Sequence, residues 1–215
     1  MLNIIFEDNH VLVIEKPVNI PSQEDLTGDM DVLSMCKAYL KKKYQKPGNV
    51  FCGLVHRLDR PVGGLMVFAK TSKAASRLSD QIRSKKMKKK YIALVEHTVQ
   101  KDSATLKHYL KKNKSKNITE VQAKPFADAK EAILNYQVLK NDKLSTFVEI
   151  ELITGRSHQI RSQFSFIGHP LFGDKKYKAT QPFKEKGIAL FSSYLSFKHP
   201  TKEEVLEFSL TPSWF

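Results

Sequence analysis

The chain has 215 residues, of which 41% are hydrophobic and 27% charged, a composition that excludes disordered and fibrous proteins and fits a globular one. Its 36 Lys and Arg against 22 Asp and Glu leave a net charge of +14, which favours nucleic acid as a partner before an anionic membrane surface. No apolar run approaches the roughly 20 residues of a membrane-spanning helix.

The first half of the chain alternates short apolar runs with two amphipathic segments. The runs are rich in β-branched residues and bounded by turn residues, which is typical of strands, and the amphipathic segments have apolar residues at helical spacing. A polar stretch over 17–29 predicts a surface loop. The predicted elements are strands at 4–7 and 10–15, a helix from Asp31 that ends before Pro47, a strand at 65–70, and a helix capped by Thr71.

The second half is predicted to be mostly strands, with a flexible loop at 112–117 and one helix from about Ser157 that Gly168 ends. Residues 144–152 keep period two only in part, which predicts a bulge or burial on both faces. Strands and helices do not alternate regularly, so we expect an α+β fold with a mixed, largely antiparallel sheet flanked by helices, as one domain over 1–215. The strands are predicted at 91–96, 105–111, 131–139, 144–152, 188–197 and 204–209.

The basic residues form three clusters, at Lys37–Lys46, Arg83–Lys90 and Lys107–Lys116. Any single run of this kind is as often a plain solvated face as a binding site. Three on one chain of this charge favour RNA or DNA as the partner.

The two cysteines, Cys36 and Cys52, lie in apolar surroundings without the spacing of a metal site, so we expect reduced core thiols and no bound metal. The N-terminus has no basic region before its apolar residues and soon reaches acidic ones, which argues against a signal peptide. The protein is therefore expected in the cytoplasm.

The segment VHRLDR, residues 55–60, places Asp59 between two arginines in a loop before a buried strand. Neighbouring arginines favour the ionised carboxylate, which is the form that acts as a nucleophile. From the residues alone, a structural ion pair is the more frequent role of such an aspartate.

Two further segments suggest ligand binding. Tyr91 opens a strand beside the most basic run, where an aromatic ring can stack on an unpaired base, worth about 1–3 kcal/mol; a core tyrosine is the alternative. In TGRSHQIR, Arg156 and His158 stand at the start of a helix, where backbone amides favour anions, and Arg161 lies one turn further. A positive charge at the start of a helix is unfavourable, so an arginine there indicates that its side chain binds a ligand or a carboxylate.

The segments HRLDRPVGGLMVFAK, KKYIALV and TGRSHQIRSQFSFIGHPLFGDKKY resemble the signature segments of the RluA family of pseudouridine synthases. LVIEKPVNIPSQ resembles the opening segment of that family, and the matches follow its order over nearly the whole chain. The resemblance implies an enzyme that detaches a uracil from its ribose in RNA and reattaches it through carbon, without a cofactor. The expected substrate is a specific uridine of ribosomal or transfer RNA.

By this resemblance Asp59 is the nucleophile, Tyr91 stacks on the target base, and Arg161 is the salt-bridge partner of Asp59. His56 is given no catalytic role. The other candidates are basic residues expected to contact RNA or support its loops: Arg57, Arg60, Arg156, His158, Lys88, Lys89 and Lys90.

Two residues depart from the family pattern. Gly63 stands where serine is common, and losing that hydroxyl is expected to loosen the loop without touching the nucleophile. Asn19 stands where glycine is usual, and asparagine tolerates the left-handed conformation. The chain also opens directly on the catalytic segments, so no separate N-terminal RNA-binding domain is expected. RNA affinity is then expected from its own basic surface, and the protein is expected to act as a monomer.

Two other functions compete with this interpretation. Net charge and basic runs fit a non-catalytic RNA-binding protein equally well, such as a ribosome-assembly or RNA-folding factor on the same fold. Such a binder has no need for a carboxylate that repels phosphate, so the combination of Asp59, Tyr91 and Arg161 favours the enzyme. A hydrolase with paired carboxylates is weaker, because no second acid with a suitable context lies near Asp59.

Overall fold

The computed structural model describes residues 2–215 and contains two compact units. Unit 1 consists of residues 1–88 and 192–211, and unit 2 of residues 89–191 and 212–215. No helix in the described residues is long and apolar enough to cross a membrane. The prediction of a single catalytic domain over 1–215 stays a prediction.

The described residues form strands that are joined by turns, by longer loops and by three α-helices. The strands are β1 Asn3–Glu7, β2 Val11–Lys16, β3 Gly53–Leu54, β4 Gly63–Ala69, β5 Lys88–Glu96, β6 Ser103–Asn113, β7 Ile118–Gln122, β8 Lys130–Asn141, β9 Ser145–Leu152, β10 Leu190–Lys198 and β11 Val205–Ser209. The helices are α1 Val32–Lys43, α2 Ser72–Arg83 and α3 Gln159–Phe166, with a short 3-10 helix at Lys175–Tyr177.

Unit 1 is a sheet in the order β1-β2-β4-β10, with β3 beside β4 and β11 beside β10. All seven residues of β4 are buried, and β2 is almost as deeply buried, so both strands lie in the centre of the core. Asp31 caps α1 by accepting a hydrogen bond from the backbone of Ser34, and Thr71 caps α2 in the same way, as predicted. Cys36 and Cys52 are buried free thiols.

Gly64, the second residue of β4, has a conformation that other residues rarely adopt, with φ of 110°. A Cβ at this position would lie 2.4 Å from the carbonyl oxygen of Ser192, so only glycine fits there. Asn19 has φ of 64°, which confirms that asparagine takes the left-handed conformation expected of the usual glycine.

Unit 2 is a second run of strands, in the order β5-β9-β8-β6-β7, and each of these neighbours pairs antiparallel. Two details differ from the sequence prediction. The flexible loop predicted at 112–117 is the end of β6 followed by a tight turn into β7, a strand that the sequence did not predict. The register irregularity lies in β8, between Val138 and Lys140, and not in β9.

Helix α3 begins one residue after His158, which adopts a left-handed conformation and makes no side-chain cap. The helix ends before Gly168, whose φ of 86° is that of a C-terminal glycine, as predicted. On the other side of unit 2, the buried carboxylate of Glu96 accepts hydrogen bonds from Thr180 and Gln181, which fixes the long segment between α3 and β10.

Candidate active site

Asp59 lies in the loop that joins β3 to β4 in unit 1. A turn closes this loop, because the backbone N–H of Val62 donates to the carbonyl oxygen of Asp59 over 3.0 Å. Just before it, the Nε2 atom of His56 accepts a hydrogen bond from the backbone N–H of Val67 over 3.1 Å, which ties this loop to β4.

Buried side chains hold the backbone on both sides of Asp59. Ser22 Oγ donates to the carbonyl oxygen of Leu58 over 2.7 Å and accepts from its N–H over 3.2 Å. Lys16, only 1% exposed, donates to the carbonyl oxygens of Arg60 over 3.2 Å and Val62 over 2.8 Å. The loop therefore has little freedom to move the carboxylate, which is what a positioned nucleophile needs.

Lys16 is also an electrostatic neighbour of Asp59 in the core of unit 1. Burial lowers the pKa of its ammonium group to about 7, and the carboxylate of Asp59 acts in the opposite direction. Lys16 therefore carries a charge that the core disfavours and that Asp59 partly compensates. The sequence prediction did not include this residue.

Arg60, an expected RNA contact, already has acidic partners within unit 1. Its guanidinium forms ion pairs with Asp29 and Asp25 and donates to Thr27 Oγ1 over 3.2 Å. The hydrogen bond from Arg60 lowers the pKa of Asp29. Arg57, on the other side of Leu58, is exposed. Both arginines are exposed, but in the described part of the chain only Arg60 forms ion pairs with acidic side chains.

Tyr91 lies on β5 in unit 2, opposite Ile150 of β9, and is 6% exposed. Side chains alternate between the two faces of a strand, so Lys89 and Tyr91 share one face of β5 while Lys88 and Lys90 share the other. Lys90 forms an ion pair with Glu149 over 2.8 Å. The ring of Tyr91 is therefore not part of an open surface.

Arg161 lies on α3 and is almost completely buried. Its Nε and Nη2 atoms donate to the two carboxylate oxygens of Asp174 over 2.7 and 2.8 Å, and its guanidinium carbon lies 5.1 Å from the centre of the Tyr177 ring. This bidentate pair uses two of the five N–H donors of the guanidinium. Asp174 and Tyr177 come from the GDKKY segment, whose roles the sequence prediction missed.

The remaining predicted RNA contacts are split between exposed and engaged side chains. Arg156 is exposed, although its Nε donates to the carbonyl oxygen of Glu131 over 3.0 Å. The Nδ1 atom of His158 lies 2.7 Å from the Tyr177 hydroxyl, in hydrogen-bond contact, and Lys112 Nζ donates to its Nε2 over 3.4 Å. His158 therefore has a structural partner on each ring nitrogen.

A groove of about 630 Å³ runs along unit 1 beside α2 and the β10–β11 turn. Its basic residues outnumber its acidic ones, and Lys86 and Lys88 come from the basic run that follows α2. The charged lining residues are Arg77, Lys86, Lys88, Lys198 and Lys202 with Asp80, Glu203 and Glu207. Within residues 2–215, no cluster of three His, Cys, Asp or Glu side chains has the arrangement of a metal site.

A model of the RNA pseudouridylate synthase family matches residues 10–166, which include the loop of Asp59, strand β5 and helix α3. The chain belongs to this family. It is 33% identical over 210 residues to the uncharacterized RNA pseudouridine synthase YlyB of Bacillus subtilis (strain 168), over 96% of this chain and 68% of that protein. It is 32% identical over 227 residues to the dual-specificity RNA pseudouridine synthase RluA of Pasteurella multocida (strain Pm70), over 99% of this chain and 94% of that protein.

The fold agrees with this assignment. The solved structure of human RNA pseudouridylate synthase domain containing 4 superimposes with a TM-score of 0.81 at 23% identity, over 99% of this chain and 90% of that one. The α+β fold, the RluA family and the pseudouridine synthase class predicted from the sequence are therefore confirmed. The chain spans about two thirds of the length of YlyB.

Proposed function

We propose that this pseudouridine synthase isomerises specific uridines of ribosomal or transfer RNA, with Asp59 as the nucleophile. The observation that carries the proposal is the loop of Asp59, whose backbone is held on both sides by Lys16 and Ser22. Membership of the RNA pseudouridylate synthase family supports it. The name of the similar dual-specificity RNA pseudouridine synthase RluA supports RNA as the substrate, without selecting which RNA.

The reaction exchanges one bond of the ribose for another. The bond from the sugar to N1 of uracil breaks, the bond from the same sugar carbon to C5 forms, C5 loses its proton and N1 gains one. Atoms and electrons balance within the substrate, so no oxidant or external nucleophile is required. Asp59 promotes the cleavage step as the nucleophile or as a base, and its fixed loop supplies the orientation that either route requires.

Tyr91 is proposed to hold the uracil while it turns. A uridine within folded RNA must leave its stack to reach the enzyme, at a cost of a few kcal/mol. The buried ring of Tyr91 offers a flat apolar surface that stacks on the base in either orientation, because stacking does not depend on which ring edge faces the sugar. An aromatic platform therefore suits a base that must rotate between two bonds.

Arg161 is proposed as the cationic partner of Asp59. Its side chain is 6% exposed and oriented by Asp174, so its guanidinium is fixed before the substrate arrives. A preorganised positive charge stabilises negative charge that develops in the transition state without reorganising. The pair with Asp174 supports a positioning role for that carboxylate, and Asp59 remains the only acid to which chemistry is assigned.

The exposed basic residues are proposed to bind the RNA backbone. Arg57 and Arg156 project from the loop of Asp59 and from the loop before α3, while Lys86 and Lys88 line the groove of unit 1. Phosphate contacts of this kind supply most of the affinity and little of the sequence preference. We also propose that the protein acts as a monomer in the cytoplasm, where ribosomes and transfer RNA work.

The test is to incubate the purified protein with total RNA from a host that lacks the gene, and to map pseudouridines by a chemical adduct that stops reverse transcription. We expect new stops with the wild-type protein and none with Asp59→Ala, while RNA binding stays within about twofold. Asp102→Ala removes an exposed carboxylate of unit 2 as a matched control, and should retain the stops. Persistent stops with Asp59→Ala would contradict the nucleophile assignment. Bound RNA without any stops would favour the non-catalytic RNA-binding protein.

A further inference from the structure

Lys89 differs from the other lysines of its run. It follows the exposed Lys88 and precedes Lys90, which has Glu149 as its acidic partner. Lys89 is mostly buried, and in residues 2–215 its ammonium group has neither a hydrogen bond nor an ion pair. Burial lowers its pKa, with no carboxylate acting in the opposite direction. A mostly buried cation without a counter-charge is costly to the folded protein and typical of a site that binds an anion.

The surroundings of Lys89 leave room for a ligand. Its Nζ atom lies beside the loop before α3, only 3.7 Å from where a Cβ on Gly155 would stand. Glycine at this position keeps that side of the ammonium group open, whereas a larger side chain would cover it. Gly155 is itself exposed, so an anion can reach Lys89 from solvent.

Lys89 also lies on the same face of β5 as Tyr91, two residues away. Two residues of a strand span about 7 Å, a length comparable with that between the base and the phosphate of one nucleotide. Uracil and ribose carry no charge, so the phosphate is the anionic group that a uridine brings to this face. We propose that Lys89 binds the phosphate next to the target uridine while the uracil stacks on Tyr91. This inference rests on the proposed function, since it takes Tyr91 as the base platform.

Binding of one particular phosphate distinguishes Lys89 from a surface lysine, which can contact any phosphate along the RNA. A surface contact adds affinity for any RNA, whereas Lys89 would add affinity for a single nucleotide with its phosphate. The probe is therefore uridine 3′,5′-bisphosphate, compared with uridine, and binding is measured by calorimetry. A charge-assisted hydrogen bond predicts that the wild-type protein binds the bisphosphate at least tenfold more tightly than uridine.

Lys89→Met should reduce that preference to about twofold and leave the affinity for uridine unchanged, while Lys89→Arg should keep it. Lys101→Met, an exposed lysine of the same unit, should behave as the wild type. Because the phosphate binds the ammonium form and burial lowers the pKa of Lys89 below the ordinary 10.5, the wild-type preference should fall as the pH rises toward 10.5, and that of Lys89→Arg should stay flat.

Equal preference in the wild type and Lys89→Met would overturn the proposal, as would a wild-type protein that binds the bisphosphate no more tightly than uridine. A loss of uridine affinity in Lys89→Met equal to that of the bisphosphate would also overturn it, since the change would then have altered the base site. The proposed function fails by a different result, the absence of pseudouridine in RNA treated with the wild-type protein.

Discussion

Replacing Lys16 with methionine removes the buried ammonium group that holds the loop of Asp59 and keeps a side chain of similar length. Two effects on stability oppose each other. The change leaves the buried carbonyl oxygen of Val62 without its donor, which costs about 1–3 kcal/mol. It also removes a charge whose pKa has fallen from 10.5 to about 7, and at about 1.4 kcal/mol per pH unit this charge destabilises the wild type by about 5 kcal/mol at low pH.

The pH dependence isolates the second effect. Below pH 7 Lys16 is protonated in the folded and the unfolded protein, so the destabilisation is constant and complete. Between pH 7 and 10.5 the folded protein has released the proton while the unfolded protein keeps it, and stability rises with pH when the unfolded state binds more protons. From pH 6 to pH 9 the wild type should therefore gain about 2.5 kcal/mol of unfolding free energy relative to Lys16→Met.

The assay is urea unfolding of both proteins at each pH from 6 to 9, with Lys73→Met as an exposed control whose difference from wild type should not vary with pH. Turnover should also fall about 100-fold in Lys16→Met, since small displacements of a catalytic group have effects of this size. If the unfolding free energies of wild type and Lys16→Met change in parallel with pH, the claim that Lys16 is a buried charge with a lowered pKa is refuted. Normal turnover would refute the claim that Lys16 positions Asp59.

Two further predictions concern Arg161 of α3 and the groove of unit 1. Asp174→Asn removes one partner of a buried ion pair, so the free energy of unfolding in urea should fall by about 3–5 kcal/mol; a loss below about 1 kcal/mol would mean that Arg161 is held by other groups. Lys86→Gln with Lys88→Gln should reduce the slope of log affinity for RNA against log salt by roughly 1.4, about 0.7 for each lost single-strand phosphate contact, as measured by filter binding. An unchanged slope would make this part of the groove a solvated face.

The sequence predicted most elements because their signals are local. Asp31 and Thr71 cap helices through contacts three residues away, and Gly168 ends α3 through its own conformation. Strand β7 was missed because ITEVQ is short and half exposed, and its pairing with β6 is a tertiary contact. A bulge, or burial on both faces, was predicted for residues 144–152, but the irregularity lies in the paired strand β8, since either of two paired strands can carry the extra residue.

The sequence predicted the candidate site residues from their types, but it did not predict the residues that hold them in place. Lys16 ends a strand that is buried on nearly its whole length, so the apolar pattern gave no sign that the lysine points inward. Asp174 and Tyr177 lie 13 and 16 positions after Arg161, too far for a helical or strand spacing to connect them. The ion pair of Arg60 with an acidic side chain more than 30 residues earlier in the chain could not be predicted from the sequence either.

The existing ion pairs of the basic residues determine how much each of them can contribute to RNA affinity. Arg60 and Lys90 have carboxylate partners in the protein without RNA, so a phosphate contact would have to replace an ion pair that already exists. Within residues 2–215, Arg57 and Lys88 are exposed and have no ion pair to exchange, so they gain the full benefit of a phosphate. Exchange of one partner for another contributes little net free energy, because the phosphate contact then replaces an ion pair of similar strength. RNA affinity should therefore depend mainly on residues such as Arg57 and Lys88, and only weakly on Arg60 and Lys90, although all of them are equally basic in the sequence.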